Sequence, residues 1–163
     1  MRSPTNPTAI KFQETLKQLG LSGQVVEFEQ TTRTAADAAA AIGCDVGQIV
    51  KSLIFKTKNS GKPVLVFTSG SNRVSEPFVE SLVDEKLGKA DADFVRAATG
   101  YAIGGVPPFG FQHPQHTYID DTLLGYQTIW AAAGTPNAVF PLTPQELVQH
   151  SGAKSAQVAE EQK

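Results

Sequence analysis

The alternation of apolar and polar residues along the chain predicts both helices and strands. Close to the start, Ile10, Phe12, Leu16 and Leu19 recur at near-helical spacing, and Gly20 is a typical helix stop. Further along, several segments have the composition of strands, and in QIVKSLIFKTK successive residues alternate with the period of two that is typical of strands. The segments predicted as strands are QVVEFEQ, QIVKSLIFKTK, PVLVFTSG, HTYIDD, YQTIWAAAG and AVFPL. The NSGK turn between the second and the third predicts a hairpin.

Helix-capping residues place four more helices between these strands. Thr34 precedes an alanine-rich helix that ends at Gly43, and Ser75 precedes a helix that is predicted to run to about Leu87. The segment DADFVRAATG predicts a short helix, and Thr143 begins the last one, TPQELVQHSG. The alanines of the second helix are small enough to let it pack close against a neighbouring element.

The order of these elements predicts the fold class. Strands and helices alternate without a regular βαβ rhythm, so we expect an α/β fold with a mixed, largely antiparallel sheet. The sheet is expected to be curled, barrel-like and surrounded by helices. The 163 residues fit one domain, 1–163, with a core from about 24 to 152. Residues 1–7 and 154–163 are polar or proline-containing, and we expect them to be flexible.

The charge and composition of the chain restrict its partners and its compartment. A net charge of −2 and a pI of about 5.9 weigh against binding along an extended nucleic acid, which needs many phosphate contacts. The same charge does not exclude recognition of one terminal nucleotide, which needs only about two or three positive groups. No apolar run reaches the roughly 20 residues of a membrane span, and the start of the chain lacks the apolar core of a signal peptide. With Cys44 as the one cysteine, we expect a cytoplasmic protein without a membrane partner.

Lys51 is the first candidate for a functional side chain. It lies in the middle of a predicted strand, on the same face as Leu53 and Phe55. A lysine on an apolar face must extend to solvent, pair with an acid, or point into a cavity that holds an anion. The pattern alone leaves both an ordinary edge lysine and a ligand-facing ammonium open.

The second candidate is the glycine- and proline-rich segment TGYAIGGVPPFGF, residues 99–111. Gly104 and Gly105 allow a ligand to approach the main chain, whereas Pro107 and Pro108 remove two N–H donors and stiffen the turn. Such a segment is either a tight connection between elements or the wall of a small-molecule or nucleotide-end pocket.

The remaining polar motifs offer weaker candidates for chemistry. His113 and His116 are three residues apart, but Pro114 between them argues against a helix, so a zinc hydrolase is a minor alternative and we expect no metal or cofactor. Asp120 and Asp121 are adjacent and point to opposite faces, which favours turn capping over an acid–base pair. The chain contains no G-x-S-x-G, P-loop or G-x-G-x-x-G motif.

Four segments in a fixed order resemble a known family. RTAADAAAAIGCDVGQIVKSLIFK, TGYAIGGVPPFG, IDD and WAAAGTPNAVFPLTPQEL are similar to the YbaK/EbsC family, the free-standing relatives of the editing domain of bacterial prolyl-tRNA synthetases. The resemblance covers roughly residues 24–152. Its two sharpest signatures are a lysine in the strand after the alanine-rich helix, here Lys51, and a G-x-x-x-P loop, here Gly104 to Pro108.

The resemblance implies a curled mixed α/β fold and a trans-editing aminoacyl-tRNA deacylase. Its substrate would be tRNA mischarged with a small amino acid such as Cys or Ala, with tRNA-Pro as the expected tRNA. The partners would be the tRNA acceptor end and a synthetase. A non-catalytic module that binds a tRNA 3′ end, a nucleotide or an aminoacyl ligand is the alternative.

The resemblance also implies roles for individual residues. Lys51 would hold the phosphate or ribose of the terminal adenosine, and Gly104 would provide main-chain groups at the ester, so these two are the predicted catalytic positions. The residues predicted to bind substrate are Ser52, Gly105, Val106, Pro107, Pro108, Gly134, Thr135 and Asn137.

Overall fold

The computed structural model describes residues 1–30, 32 and 34–161, and its elements follow the predicted order closely. The helices are α1 (Pro7–Gln18), α2 (Ala35–Ile42), α3 (Glu76–Val83), α4 (Ala92–Thr99) and α5 (Pro144–Ser151). The strands are β1 (Val26–Glu27), β2 (Val50–Thr57), β3 (Pro63–Ser69), β4 (Leu87–Lys89), β5 (His116–Asp120), β6 (Ile129–Ala132), β7 (Ala138–Leu142) and β8 (Lys154–Ala156). Two 3₁₀ helices cover Val46–Gln48 and Asp121–Gly125.

The strands form two sheets that meet at one point. A three-stranded antiparallel sheet has the order β1-β7-β6, and a five-stranded mixed sheet has the order β4-β2-β3-β5-β8. β2 pairs antiparallel with β3 and β4, whereas β3–β5 and β5–β8 are parallel. Within the part of the chain that the structure describes, one isolated parallel bridge, between Ile49 and Trp130, connects the two sheets. The predicted mixed, largely antiparallel α/β fold is therefore confirmed.

Both faces of the central strand β3 are buried. Leu65 and Phe67 of β3 point into the main core, and the alternating residues Val64 and Val66 point into a second cluster with α3. This explains why PVLVF reads as a continuous apolar run, since a strand covered on both faces needs apolar residues at every position. The main core also holds Phe12 of α1, which packs against Phe140 of the three-stranded sheet.

The predicted helix caps are confirmed. The side-chain oxygens of Thr34, Ser75 and Thr143 accept hydrogen bonds from backbone N–H groups in the first turns of α2, α3 and α5. Glu146 completes the last cap, because its carboxylate accepts from the Thr143 N–H at 2.8 Å.

The predicted extent of the helix after Ser75 is wrong. α3 ends at Val83 because Asp84 adopts a left-handed conformation with φ 59°. Leu87, which was expected in the helix, instead lies in β4, where it pairs with Thr57 of β2. Its N–H donates to the Glu80 carboxylate at 2.7 Å, which secures the turn between helix and strand.

Both ends of the described chain have defined partners where the sequence predicted flexibility. Residues Lys154–Ala156 form β8 beside β5, and Val158 is fully buried. At the start, Arg2 forms a β-bridge with Glu27. Residues 162–163 of the predicted flexible tail lie outside the described residues. The strand predicted over residues 24–30 is short, since regular pairing covers only Val26–Glu27.

None of the helices in the described residues is long and apolar enough to cross a membrane.

Candidate functional site

The candidate site is a cavity of about 410 Å³ between the two sheets. β2 contributes residues 50–54 to its wall, and the start of α2 contributes Ala35 and Ala38. The glycine- and proline-rich segment 99–111, here called the Gly/Pro loop, and the β6–β7 hairpin form the other sides of the cavity. Their lining residues are Ile103, Gly104, Val106, Trp130, Ala132, Pro136, Ala138 and Val139. The cavity falls within the size range of small-molecule sites in proteins.

The lining is apolar, with one charged side chain. Among the lining residues that the structure describes, Lys51 is the only charged one, and none is an Asp, Glu, His or Cys. An anionic group of a ligand could therefore pair with Lys51, whereas a cationic group would meet no carboxylate in this wall.

Lys51 lies beside the cavity with its ammonium fixed by the main chain. Its Nζ donates a hydrogen bond to the Asn72 carbonyl oxygen at 2.8 Å. Burial lowers the pKa of Lys51 below its ordinary value, the nearby Arg73 lowers it further, and Asp120 acts in the opposite direction. An ammonium has three donors, and the bond to Asn72 uses one of them among the described residues.

Asp120 organises the segment that holds Lys51. Its carboxylate is fully buried and accepts hydrogen bonds from the Ser69 N–H at 3.1 Å, the Asn72 side-chain amide at 2.9 Å and the Thr122 N–H at 3.0 Å. The bond to Thr122 confirms the predicted turn capping. The bond to Asn72 links Asp120 to Lys51, because the Asn72 carbonyl is the acceptor of the lysine ammonium.

We predict that Arg73→Gln raises the pKa of Lys51. The positive charge of Arg73 disfavours protonation of the neighbouring ammonium, so its removal moves the Lys51 pKa up toward the ordinary lysine value. Arg73 is exposed, and the change should leave the fold intact. NMR titration of the labelled Lys51 ammonium in both proteins measures the shift. A pKa that falls or stays constant in the variant would contradict this electrostatic account.

The Gly/Pro loop has an exposed half and a buried half. Ile103 and Gly104 are exposed and line the cavity, whereas residues 105–109 are buried. The Gly105 N–H donates to the Ala102 carbonyl at 3.0 Å, and Gly104 has φ +87°, which together make a turn that requires glycine at its third position. A Cβ on Gly105 would lie 2.8 Å from the Thr135 Cα and 2.9 Å from the Gly134 carbonyl oxygen, so this glycine lets two backbones touch.

The prolines of the loop serve as its anchor. Pro107 and Pro108 are buried and are not among the lining residues, so the structure does not bring them to the cavity as the sequence analysis expected. The Pro108 carbonyl oxygen lies 2.6 Å from the His113 Nε2, and Phe109 packs in the main core against His150. The rigid half of the loop thus holds the Ile103–Gly104 half in place.

Other predicted site residues separate into lining and supporting positions. Ser52 lines the cavity, but its hydroxyl oxygen is buried and has no hydrogen-bond partner among the described residues. From the segment 134–137, Pro136 lines the cavity, whereas Gly134, Thr135 and Asn137 do not. The backbone of Gly134 and Thr135 instead packs directly against Gly105.

Most of the apolar wall was not predicted from the sequence. Phe28, Ile103 and Trp130 line the cavity without having been singled out, as do Ala35 and Ala38 of α2. The one available signal was the alanine-rich helix, whose small side chains predicted close packing and here leave room for the cavity.

The histidine pair has a different role from the metal site considered above. His113 supports the loop through Pro108, and the His116 Nδ1 lies 3.5 Å from the Tyr118 hydroxyl. Within the described ranges, no three His, Cys, Asp or Glu side chains are grouped so that they could hold a metal ion.

The fold and the cavity together define a mixed α/β domain with an apolar cleft between its two sheets. The sequence of residues 29–150 matches the aminoacyl-tRNA editing domain. Because this match covers most of the chain, the protein belongs to the aminoacyl-tRNA editing domain family. The relationship predicted from the sequence is thereby confirmed.

Three relatives illustrate the family relationship. The chain is 32% identical over 137 residues to the uncharacterized protein YwhH of Bacillus subtilis, a match that covers 84% of this chain and 87% of YwhH. It is 30% identical over 120 residues to the proline–tRNA ligase of Limosilactobacillus fermentum, covering 71% of this chain and 21% of the ligase. The solved structure of a candidate trans-editing enzyme for prolyl-tRNA synthetase is 44% identical, with a TM-score of 0.88 and coverage of 97% of this chain and 100% of that one.

Proposed function

We propose that this protein is a trans-editing aminoacyl-tRNA deacylase. It would hydrolyse the ester that joins a small wrong amino acid, such as Ala or Cys, to the 3′-terminal adenosine of a tRNA, with tRNA-Pro as the expected tRNA. The products would be the free amino acid and a tRNA with a free terminal hydroxyl. A synthetase that releases mischarged tRNA is the expected source of the substrate.

The single observation that carries the proposal is the cavity shared by Lys51 and Gly104. A compact apolar space suits a small side chain, and the one charged residue at its described wall suits the terminal phosphate or ribose. The turn at Gly104 allows the ribose to approach the backbone because no side chain stands in the way. Val106 and Pro136 complete the wall on that side.

The chemistry requires little from side chains. Water attacks the ester carbonyl and loses a proton, and a tetrahedral oxyanion forms. The carbonyl then re-forms as the bond to the ribose oxygen breaks, and that oxygen takes up one proton. An ester has a good leaving group, so a site can act by positioning the ester and stabilising the oxyanion. The family resemblance implies that the neighbouring ribose hydroxyl assists, by orienting the water or by taking up the leaving proton. This is consistent with a described lining that contains no general base.

A panel of mischarged tRNAs tests the proposal directly. The purified protein is incubated with tRNA-Pro charged with Pro, Ala, Cys or Ser, and ester loss is compared with spontaneous hydrolysis. We expect acceleration with at least one small wrong amino acid and none with the cognate Pro-tRNA-Pro. Binding of tRNA without ester loss on any member would instead favour the non-catalytic module, which the absence of a general base in the described lining also allows.

We predict that Gly104→Ala lowers kcat/KM at least about tenfold more than its effect on stability explains. A methyl group there would stand at the cavity rim, 3.6 Å from Pro136, where the ribose is proposed to approach. The positive φ of +87° adds a strain of about 1 kcal/mol that is unrelated to the ligand.

Gly100→Ala is the matched control, because Gly100 has φ +82°, is exposed, and has no atom within 4 Å of the position that an added methyl would take. Gly110 is a poorer control, since its φ is +94° and a methyl would lie 3.0 Å from the Tyr101 hydroxyl. Melting temperatures and deacylation rates are measured for both variants. Equal losses of activity at Gly104 and Gly100 would mean that only the dihedral angle matters.

A further inference from the structure

The wall that β2 gives to the cavity is an unpaired strand edge. β2 pairs with β3 along residues 50–56, but β4 covers its other edge only at residues 55–57. At the opposite end, β2 approaches β6 at the Ile49–Trp130 bridge. Between these two points no strand of the described chain pairs with that edge. Ser52 and Ile54 lie in this interval, and both line the cavity.

The pairing register determines which backbone groups face the cavity. The Gly70 N–H donates to the Ile49 carbonyl, and the Thr57 N–H donates to the Lys62 carbonyl. In an antiparallel pair the hydrogen-bonded positions alternate, so the odd-numbered residues of β2 bond to β3. The N–H and C=O groups of Ser52 and Ile54 therefore point away from β3, toward the open edge.

β6 presents a similar edge to the same gap. The Ala133 N–H donates to the Ala138 carbonyl, so the odd-numbered residues of β6 face β7. The backbone groups of Ala132, which also lines the cavity, consequently face away from β7. The cavity is thus a gap between the edges of β2 and β6, which separate beyond the Ile49–Trp130 bridge. A short extended segment would fit between these two edges.

The Ser52 hydroxyl is not the part of this residue that a ligand in the cavity can contact. Its hydroxyl oxygen is inaccessible to solvent, whereas the residue as a whole is partly exposed and contributes to the cavity surface. The part of Ser52 that a ligand can reach is therefore the main chain and the Cβ. The hydroxyl of Thr34, another polar residue of the wall, is already bonded to the Asp37 N–H at 3.1 Å.

An aminoacyl ester has the donor and acceptor pattern of one extended residue. Two residues directly opposite each other in an antiparallel pair exchange two hydrogen bonds, from each N–H to the other C=O. The α-amino group of the substrate corresponds to the N–H, and its ester carbonyl corresponds to the C=O. The described lining offers no carboxylate to the amino group, so a backbone carbonyl is the suitable acceptor.

We propose that the open edge of β2 at Ser52 and Ile54 binds the aminoacyl group of the substrate as an added one-residue strand. A backbone carbonyl of this edge accepts from the α-amino group, and a backbone N–H donates to the ester carbonyl. The same N–H stabilises the oxyanion that forms on that oxygen when water attacks. This inference rests on the proposed function for the identity of the ligand.

An NMR titration tests the edge without requiring turnover. The ¹⁵N-labelled protein is titrated with 3′-(L-alanylamino)-3′-deoxyadenosine, a stable amide analogue of the aminoacyl end. A parallel titration uses 3′-amino-3′-deoxyadenosine, which lacks the acyl group. We expect the alanyl compound alone to move the amide proton of Ser52, Ile54 or both downfield and to slow its exchange with solvent by roughly tenfold, as one added hydrogen bond would.

The outcomes separate this inference from the proposed function. If the analogue moves the Gly104 and Val106 signals but neither edge amide, the edge does not bind the acyl group, although deacylation can still hold. If an edge amide responds but no mischarged tRNA is hydrolysed, the edge stands as a binding site and the deacylase proposal fails. Absence of any response at millimolar analogue overturns the inference.

A substitution on the strand gives a second, kinetic test. Ser52→Pro removes the edge N–H without removing a bond to β3, because the Ser52 N–H points the other way. Ser52→Ala removes only the buried hydroxyl and serves as the comparison. We expect kcat/KM to fall at least about tenfold further in the proline variant. Equal values in two folded variants would contradict a role for this N–H, and the titration decides alone if the proline variant does not fold.

Discussion

Lys51→Ala is expected to lower kcat/KM for deacylation by at least about thirtyfold. The lysine is the only charged residue in the described wall of the cavity, and its bond to Asn72 uses one of its three donors among the described residues. A charge-assisted hydrogen bond of about 2 kcal/mol corresponds to this factor, and the loss is larger if the contact strengthens in the transition state. Rates are measured at subsaturating substrate, after circular dichroism has established that the variant is folded.

Lys56→Ala is the matched control for this experiment. Lys56 lies on the same strand, but it is exposed and its ammonium lies over the Phe94 ring at 5.2 Å, outside the cavity wall. Both variants lose one positive charge, so a general electrostatic effect on tRNA binding would reduce both rates alike. A wild-type rate from folded Lys51→Ala protein would remove Lys51 from the site.

Gly105→Ala is expected to cause the second large effect, through the position of the loop. The added methyl would overlap the backbone of Gly134 and Thr135, at distances of 2.8 to 3.0 Å, and a backbone cannot rotate away as a side chain can. Overpacking of this kind costs about 1–3 kcal/mol of folding free energy. Since Ile103 and Gly104 move with the loop, we expect deacylation to fall well beyond the loss explained by unfolded protein.

Gly125→Ala is the control for this variant, because Gly125 has no neighbouring atom within 4 Å of a methyl and no positive φ. Melting temperatures report the packing cost, and the amide signals of Gly104 and Val106 report loop displacement. A Gly105→Ala protein with the melting temperature and spectrum of the wild type would contradict the close backbone contact.

The sequence predicted the fold well where local signals were strong. Alternation in β2 and the NSGK turn after it predicted the β2–β3 hairpin. Thr34, Ser75 and Thr143 placed three helix starts because capping is a short-range interaction. The errors arose where long-range contacts decide. Leu87 could join β4 only because β2 provides an edge beside it, whereas the end of α3 at Asp84 is a local left-handed cap. The strand β8 likewise depends on β5, which lies far earlier in the chain.

The residues that line the cavity could be predicted only in part. Lys51 and Gly104 were identified because a strand lysine on an apolar face and a glycine pair are unusual in themselves, and both line the cavity. Pro107 and Pro108 were predicted to bind the substrate because the sequence shows that prolines stiffen the loop, whereas it does not show that they are buried. The wall formed by Phe28 and Trp130 consists of ordinary apolar residues, and only the tertiary structure brings them together.

The small side chains around the cavity have an evolutionary consequence. Ala35, Ala38, Ala132 and Ala138 all contribute to its wall, and alanine is the smallest side chain that still favours regular structure. Except for a change to glycine, a mutation at any of them therefore narrows the space or makes it more polar. Selection for a substrate that carries a different amino acid could act through single substitutions at these four positions, while the backbone groups and Lys51 stay in place. In the proposed deacylase, substrate preference could therefore change by mutation without a change in the groups that carry out the reaction.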